Sequence, residues 1–178
     1  MLGEITATRC DGVRVHTYMA PDDGWRVNTH LIELPTQVIA VDGTRFEFFR
    51  LRHAETEDAL MIGLPDHRVL ITQDLIYNGV HVFIGEQAFD GWGVALKTYR
   101  ALPFERILPG HGAPGGAELY DAMGRYLSVA RAALSAASGP ADLKQRLNSA
   151  FPQFGGRALL DHQMRFLFPA RRNDDQHG

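Results

Sequence analysis

The sequence predicts an α+β layered domain, with helices packed on sheet. Its first part is built of short stretches with strand character, separated by turn-forming residues, and from Phe89 onward the apolar residues recur at helical spacing. Strands grouped first and helices grouped afterwards favour layers over an alternating βαβ array.

In chain order, 13–18, 29–34 and 37–41 read as strands, with Pro21-Asp22-Asp23-Gly24 and Leu34-Pro35-Thr36 supplying the turns of an opening meander. A further strand is expected at 45–51. A hairpin comes next, 59–64 with 68–72, joined at Pro65-Asp66-His67. Trp92, Leu96, Tyr99 and Leu102 then fall on one helical face, with Asp90 as the expected N-cap and Pro103 just past the end. A short apolar strand, 106–108, stops at Pro109-Gly110-His111-Gly112. After Gly115-Gly116 a long amphipathic helix carries Leu119, Met123, Leu127, Ala130 and Leu134 on one side and ends near Ser138-Gly139-Pro140. Helices are also expected over 141–150 and about 158–168, and the polar tail 171–178 is expected to fray.

Composition bounds the function. A chain of 178 residues, 45% hydrophobic and 22% charged, suits one domain, 1–170, with a sizeable core. A net charge of −3 with scattered Lys and Arg lacks the basic patch that nucleic acid requires. No apolar run approaches the roughly 20 residues of a membrane span, and Met1-Leu2-Gly3-Glu4-Ile5-Thr6 lacks the basic, then apolar, pattern of a leader, so a cytoplasmic protein with no membrane partner is expected. Cys10 is the single cysteine. It excludes an intramolecular disulfide and a thiolate metal site.

Three places carry chemistry. Asp74 comes directly after an apolar strand, and His111 stands at a strand terminus between two glycines that permit tight turning. The run His53-Ala54-Glu55-Thr56-Glu57-Asp58 lies just before the hairpin. Carboxylates and neutral imidazoles at strand ends are what a divalent-metal hydrolase needs, because the sheet fixes ligand directions while loops leave a position open for water. His81 is placed to line a pocket or to contact such a site from behind. Trp92, Phe89 and Tyr99 read as core. His16, His30, His67 and His162 have no convergent setting, and His177 lies in the tail.

The order of these features resembles the C-terminal half of the metallo-β-lactamase superfamily: the 59–72 hairpin, Gln73-Asp74-Leu75, the helix bearing Trp92 and Leu96, then Ile107-Leu108-Pro109-Gly110-His111-Gly112. Asn28-Thr29-His30-Leu31-Ile32-Glu33 and Val38-Ile39-Ala40-Val41-Asp42-Gly43 look like that family's first strands. The resemblance implies a layered α/β/β/α fold in which Asp74 and His111 are metal ligands, with Gly110 close behind them. It also implies that a block is missing between residues 43 and 44, including the His-x-His-x-Asp-His turn that supplies most of the family's ligands. Where the family places a further ligand histidine, the ungapped position here is Glu55; His53, two residues earlier, shares its face if the backbone there is extended. A carboxylate at that place suits zinc, manganese or iron.

The activity that the resemblance implies is metal-dependent hydrolysis of small-molecule esters, lactones, thioesters, amides or phosphoesters, by a protein holding one ion at most. The alternative is a non-catalytic binding or structural module of the same fold with no metal. Absence of the covering block leaves sheet edges and helix faces open, so a homodimer or swapped oligomer is expected.

Overall fold

A computed structural model describes residues 5–10, 13–18, 29–33 and 38–169, the first three stretches as backbone alone. The expected turns at 21–24 and 34–36, the tail 171–178, and the side chains of Cys10, His16 and His30 lie outside the described residues. The chain divides into two compact units, residues 1–39 and 40–178.

In the first unit β1 (Ile5–Cys10), β2 (Val13–Tyr18) and β3 (Thr29–Glu33) form an antiparallel three-stranded sheet. Tyr18 pairs with Ile5 on one side and Thr29 on the other. The expected meander of 13–18, 29–34 and 37–41 is thus redivided: the first two pair with an unforeseen β1, whose β-branched signal is Ile5, Thr6 and Thr8, while the third belongs to the main sheet.

The main sheet runs β4 (Val38–Val41), β5 (Thr44–Arg52), β6 (Asp58–Leu64), β7 (Val69–Tyr77) and β8 (Arg106–His111), in that order. Between β4 and β5 stands Asp42-Gly43 with φ of 48° and 78°. Two successive positive φ values are what the tight I′ hairpin turn requires, and Asp-Gly is a preferred pair for it. The junction at 43–44 is thus a well-formed turn.

Strands β5, β6 and β7 are antiparallel, with a 3-10 turn, Pro65–His67, closing the β6–β7 hairpin. Strand β8 instead lies parallel to β7. A parallel neighbour needs a crossover connection, and α1 (Phe89–Arg100) provides it. After β8 come α2 (Glu118–Ala136), α3 (Pro140–Ala150) and α4 (Arg157–Leu167).

The expected faces of α1 and α2 account for the core. Trp92 and Leu96 of α1, with Leu119, Met123, Leu127 and Ala130 of α2, are buried with Leu51, Met61, Leu70 and Leu75 from the sheet. Each large apolar side chain removed from water contributes about 1.5–3 kcal/mol. The Trp92 indole N–H also donates to the Leu75 carbonyl at 2.9 Å, so the one polar atom of that ring is satisfied.

Two details differ from the expectations. Ala88, not Asp90, stands at the N-cap of α1, and no side chain caps it. The Asp90 carboxylate instead accepts both guanidinium nitrogens of Arg131 on α2, at 2.6 and 2.8 Å, a paired charge-assisted contact that a local cap does not match. Strands β7 and β8 also run further than expected, to Tyr77 and His111. Pro109 is compatible with a strand here because β8 is the last strand of the sheet, where a missing N–H is tolerated. Among the described residues no helix is long and apolar enough to cross a membrane.

Candidate functional site

The register between β7 and β8 is interrupted twice, between Ile71 and Gln73 and between Gln73 and Tyr77. Gln73 has a φ of 49°, a left-handed conformation that re-aims the residues after it. Asp74 is next in the chain and reaches β8: its Oδ1 lies 2.9 Å from His111 Nδ1. Both side chains are partly open to solvent, 36% for Asp74 and 50% for His111. Such a carboxylate–imidazole contact fixes the ring and leaves Nε2 as the nitrogen that faces a ligand.

The glycines of Pro-Gly-His-Gly act sterically. A methyl group on Gly110 would overlap Asp74 Oδ1 and stand 2.8 Å from the Gln73 carbonyl carbon. Gly112 has a φ of 94°, and a methyl there would overlap the Asn78 carbonyl oxygen. Only glycine lets β8 pass this close to the end of β7.

Glu55 joins the pair from the β5–β6 connection. Its Oε1 accepts a hydrogen bond from the Tyr77 hydroxyl at 2.8 Å. Burial pushes the Glu55 carboxyl up to about 7 against the pull of the Tyr77 hydrogen bond. The neighbouring Asp74 charge adds to the rise, and His111 opposes it. Burial, with Glu55 alongside, likewise raises the Tyr77 phenol, which stays a donor. The Tyr77 ring stacks on the His111 imidazole, centroids 4.7 Å apart and planes within 1°.

His53 does not share this arrangement. The extended backbone on which its common face with Glu55 depended is absent: β5 ends at Arg52, His53 has a φ of 53°, and 53–57 forms a loop closed by the His53 N–H to the Glu57 carbonyl at 3.1 Å. Its imidazole pairs with Glu57 at 3.0 Å. His81 is buried completely, with Nδ1 3.1 Å from the Tyr126 hydroxyl and its ring against Phe154.

Sequence reasoning missed Tyr77 and Asn78. Asn78 donates its backbone N–H to the His111 carbonyl at 2.9 Å and its side chain to the Ala113 carbonyl at 2.8 Å. Nothing local marks either residue; their place is a result of the bulged extension of β7.

No protein-family sequence description matches the chain, and none of the curated proteins does. Solved structures do match it. A metallo-β-lactamase family protein of Thermus thermophilus superposes with a TM-score of 0.55 at 17% identity, covering 79% of this chain and 50% of that one. The chain has the metallo-β-lactamase fold. The metallo-β-lactamase of Pontibacter korlensis matches with a TM-score of 0.48 at 20% identity, covering 53% of this chain and 47% of that one. A metallo-β-lactamase of Pseudomonas aeruginosa in a mono-zinc form gives 0.44 at 24% identity, with 62% and 51% covered. The chain spans about half the length of these structures. The mixed α+β class read from the sequence is therefore the class observed.

Whether the metallo-β-lactamase fold here carries a metal centre is a question of donors. Two carboxylates and an imidazole are of the right chemistry. Yet Asp74 Oδ1 is engaged by His111, Glu55 is engaged by Tyr77, and among the described residues no three His, Cys, Asp or Glu side chains form a group able to hold an ion. The described residues by themselves do not make a metal centre.

Proposed function

We propose that the chain is a hydrolase-type protein of the metallo-β-lactamase fold in which Asp74, His111 and Glu55 are one part of a site for a single zinc, manganese or iron ion. Donors from outside the described residues would complete the site. The 2.9 Å contact of Asp74 with His111 at the ends of two parallel strands carries the reading. Open α/β sheets place their ligands at the carboxyl ends of parallel strands, and the glycines on either side of His111 bring those two ends within reach of one another. Glu55 is the third donor in this reading, and His53, tied to Glu57, is not among them. The substrate would be a small ester, lactone, thioester, amide or phosphoester.

A specific observation favours a second reading, a binding or structural module without metal: the lack of any three-donor group among the described residues. A homodimer or swapped oligomer is part of the first reading, because a second copy is one source of donors.

Metal analysis of protein purified without chelator separates the two. The first reading expects one ion per chain, lost in both Asp74→Ala and His111→Ala, with hydrolysis of ester, lactone or phosphodiester probes lost alongside. Protein that stays metal-free after incubation with each of the three ions overturns it.

A further inference from the structure

Beyond Tyr77 the wall of the candidate site continues into a cavity of about 410 Å³. This lies in the size range of small-molecule pockets, roughly 300–1,000 Å³. Its lining is apolar and aromatic, with Met123 and Tyr126 of α2, and Phe151 and Phe154 of the α3–α4 connection, facing Tyr77 and Val82. The three rings on the far side stack on one another: Tyr126 lies 4.7 Å from Phe151 and 5.9 Å from Phe154, and Phe151 lies 4.8 Å from Phe154.

The cavity is held open by hydrogen bonds that have no part in the Asp74–His111 cluster. The Gly155 N–H donates to the Gly79 carbonyl and the His81 N–H to the Gly155 carbonyl, both at 2.9 Å, tying the segment after β7 to the α3–α4 connection. Gln163 on α4 then grips both sides of Phe83, accepting from the Ile84 N–H at 2.8 Å and donating to the Val82 carbonyl at 3.0 Å. The Tyr126 hydroxyl is fixed against His81. A pocket braced in this way does not have to be ordered by its ligand, which lowers the cost of binding.

Arg125 is the one charged side chain among the lining residues. The carboxylate one turn before it on α2, Asp121, feels the Arg125 charge, but its hydrogen bond is to Arg100 of α1. The pocket therefore joins a stacked aromatic wall to a single cation at an exposed position.

We infer that this cavity binds an aryl-substituted small anion, its ring against Phe151 and Phe154, which Tyr126 backs, and its negative group at Arg125. Because Tyr77 belongs both to the cavity and to the cluster with Glu55 and His111, the bound molecule lies next to that cluster. The inference rests on the proposed hydrolase reading only where it makes this molecule part of a substrate; binding itself does not need that reading.

The test uses 4-phenylbutyrate, its neutral counterpart 4-phenylbutan-1-ol, and acetate, titrated against the full chain by calorimetry. Phenylbutyrate is expected to saturate at one per chain and to bind about tenfold or more tighter than acetate, since an aromatic ring buried in such a pocket is worth more than about 1.4 kcal/mol. Ala122→Leu, which fills the cavity from α2, is expected to weaken both phenyl compounds. Arg125→Gln is expected to weaken phenylbutyrate alone, and because Arg125 is exposed it keeps the test decisive if Ala122→Leu does not fold. Asp74→Ala is expected to leave phenylbutyrate affinity within about twofold. Phenylbutyrate binding no tighter than acetate, or unchanged in a folded Ala122→Leu protein, overturns the pocket; equal weakening of acid and alcohol by Arg125→Gln overturns the anion site. If no metal and no hydrolysis are found while phenylbutyrate binds as expected, the hydrolase reading fails and the pocket stands.

Discussion

Gly110 stands so close beneath Asp74 that the carboxylate occupies the space a Gly110 side chain would need. A Gly110→Ala substitution keeps an allowed backbone conformation, so its whole effect is steric. The methyl meets the Gln73 carbonyl carbon at 2.8 Å and the Asp74 nitrogen at 3.0 Å as well as the carboxylate, so a rotation of Asp74 alone does not relieve it. The expected result is separation of β8 from β7 at this point, with Asp74 and His111 drawn out of hydrogen-bonding distance and stability reduced by about 1–3 kcal/mol. Thermal unfolding, together with the imidazole proton shifts of His111, checks both parts.

His81 predicts a pH dependence. Burial is the main cause holding its imidazole below the ordinary value of 6.5, and the Arg157 cation adds to this while Asn148 works against it. The folded protein thus keeps His81 neutral under conditions where the unfolded chain takes up a proton. Stability from this source is fully present above about pH 6.5 and is lost as pH falls below it. Its Nε2 makes no close hydrogen bond among the described residues, so the Asn148 side chain is a weak partner for the added proton. Denaturant unfolding between about pH 8 and pH 5 is expected to show a loss on the acid side that is smaller in His81→Phe.

Gln163 is buried completely, and its amide is the partner of two buried backbone groups. Replacing it with leucine preserves bulk and strands the Ile84 N–H and the Val82 carbonyl, at a cost of about 1–3 kcal/mol for each. Gln163→Leu is expected to lower the unfolding midpoint sharply and to accelerate hydrogen exchange at Ile84. Unchanged exchange there would show that the grip is not what orders the segment.

Gly91 sets two effects against each other. Alanine in the first turns of α1 gains about 1 kcal/mol of helix propensity. It also overlaps the His53 carbonyl oxygen and stands 2.8 Å from the His53 Cβ, in a contact of helix with loop backbone. The clash costs more than the gain, so Gly91→Ala is expected to be net destabilising and to shift the loop that carries Glu55. Chemical unfolding reads the first effect, and faster amide hydrogen exchange at His53 and Ala54, whose N–H groups close the loop, reads the second.

Much of this was legible in the residues. The 59–72 hairpin, the apolar faces of α1 and α2 and the terminal position of His111 all derive from periodicity and turn chemistry, which are local. Asp74 and His111 are likewise recognisable as strand-end donors, and the structure sets them side by side. The features that stayed hidden depend on backbone conformation fixed at a distance. Gln73 in a left-handed conformation carries β7 on to Tyr77, and no pattern within 72–77 announces it. His53 adopts the same region, which turns it toward Glu57 and away from Glu55. Asp90 had every local qualification for a cap, but Arg131, 41 positions later, claimed both of its oxygens.

The parallel pairing of β7 with β8 has a consequence for how the cluster comes into being. His111 cannot reach Asp74, 37 positions earlier, by folding back directly; the chain must first leave the end of β7, pass through α1 and re-enter the sheet alongside the start of that strand. The pair is therefore assembled by a detour and not by a turn. The entropy of bringing the two side chains together is set by the whole excursion from 75 to 110, and it grows only slowly with the length of that excursion.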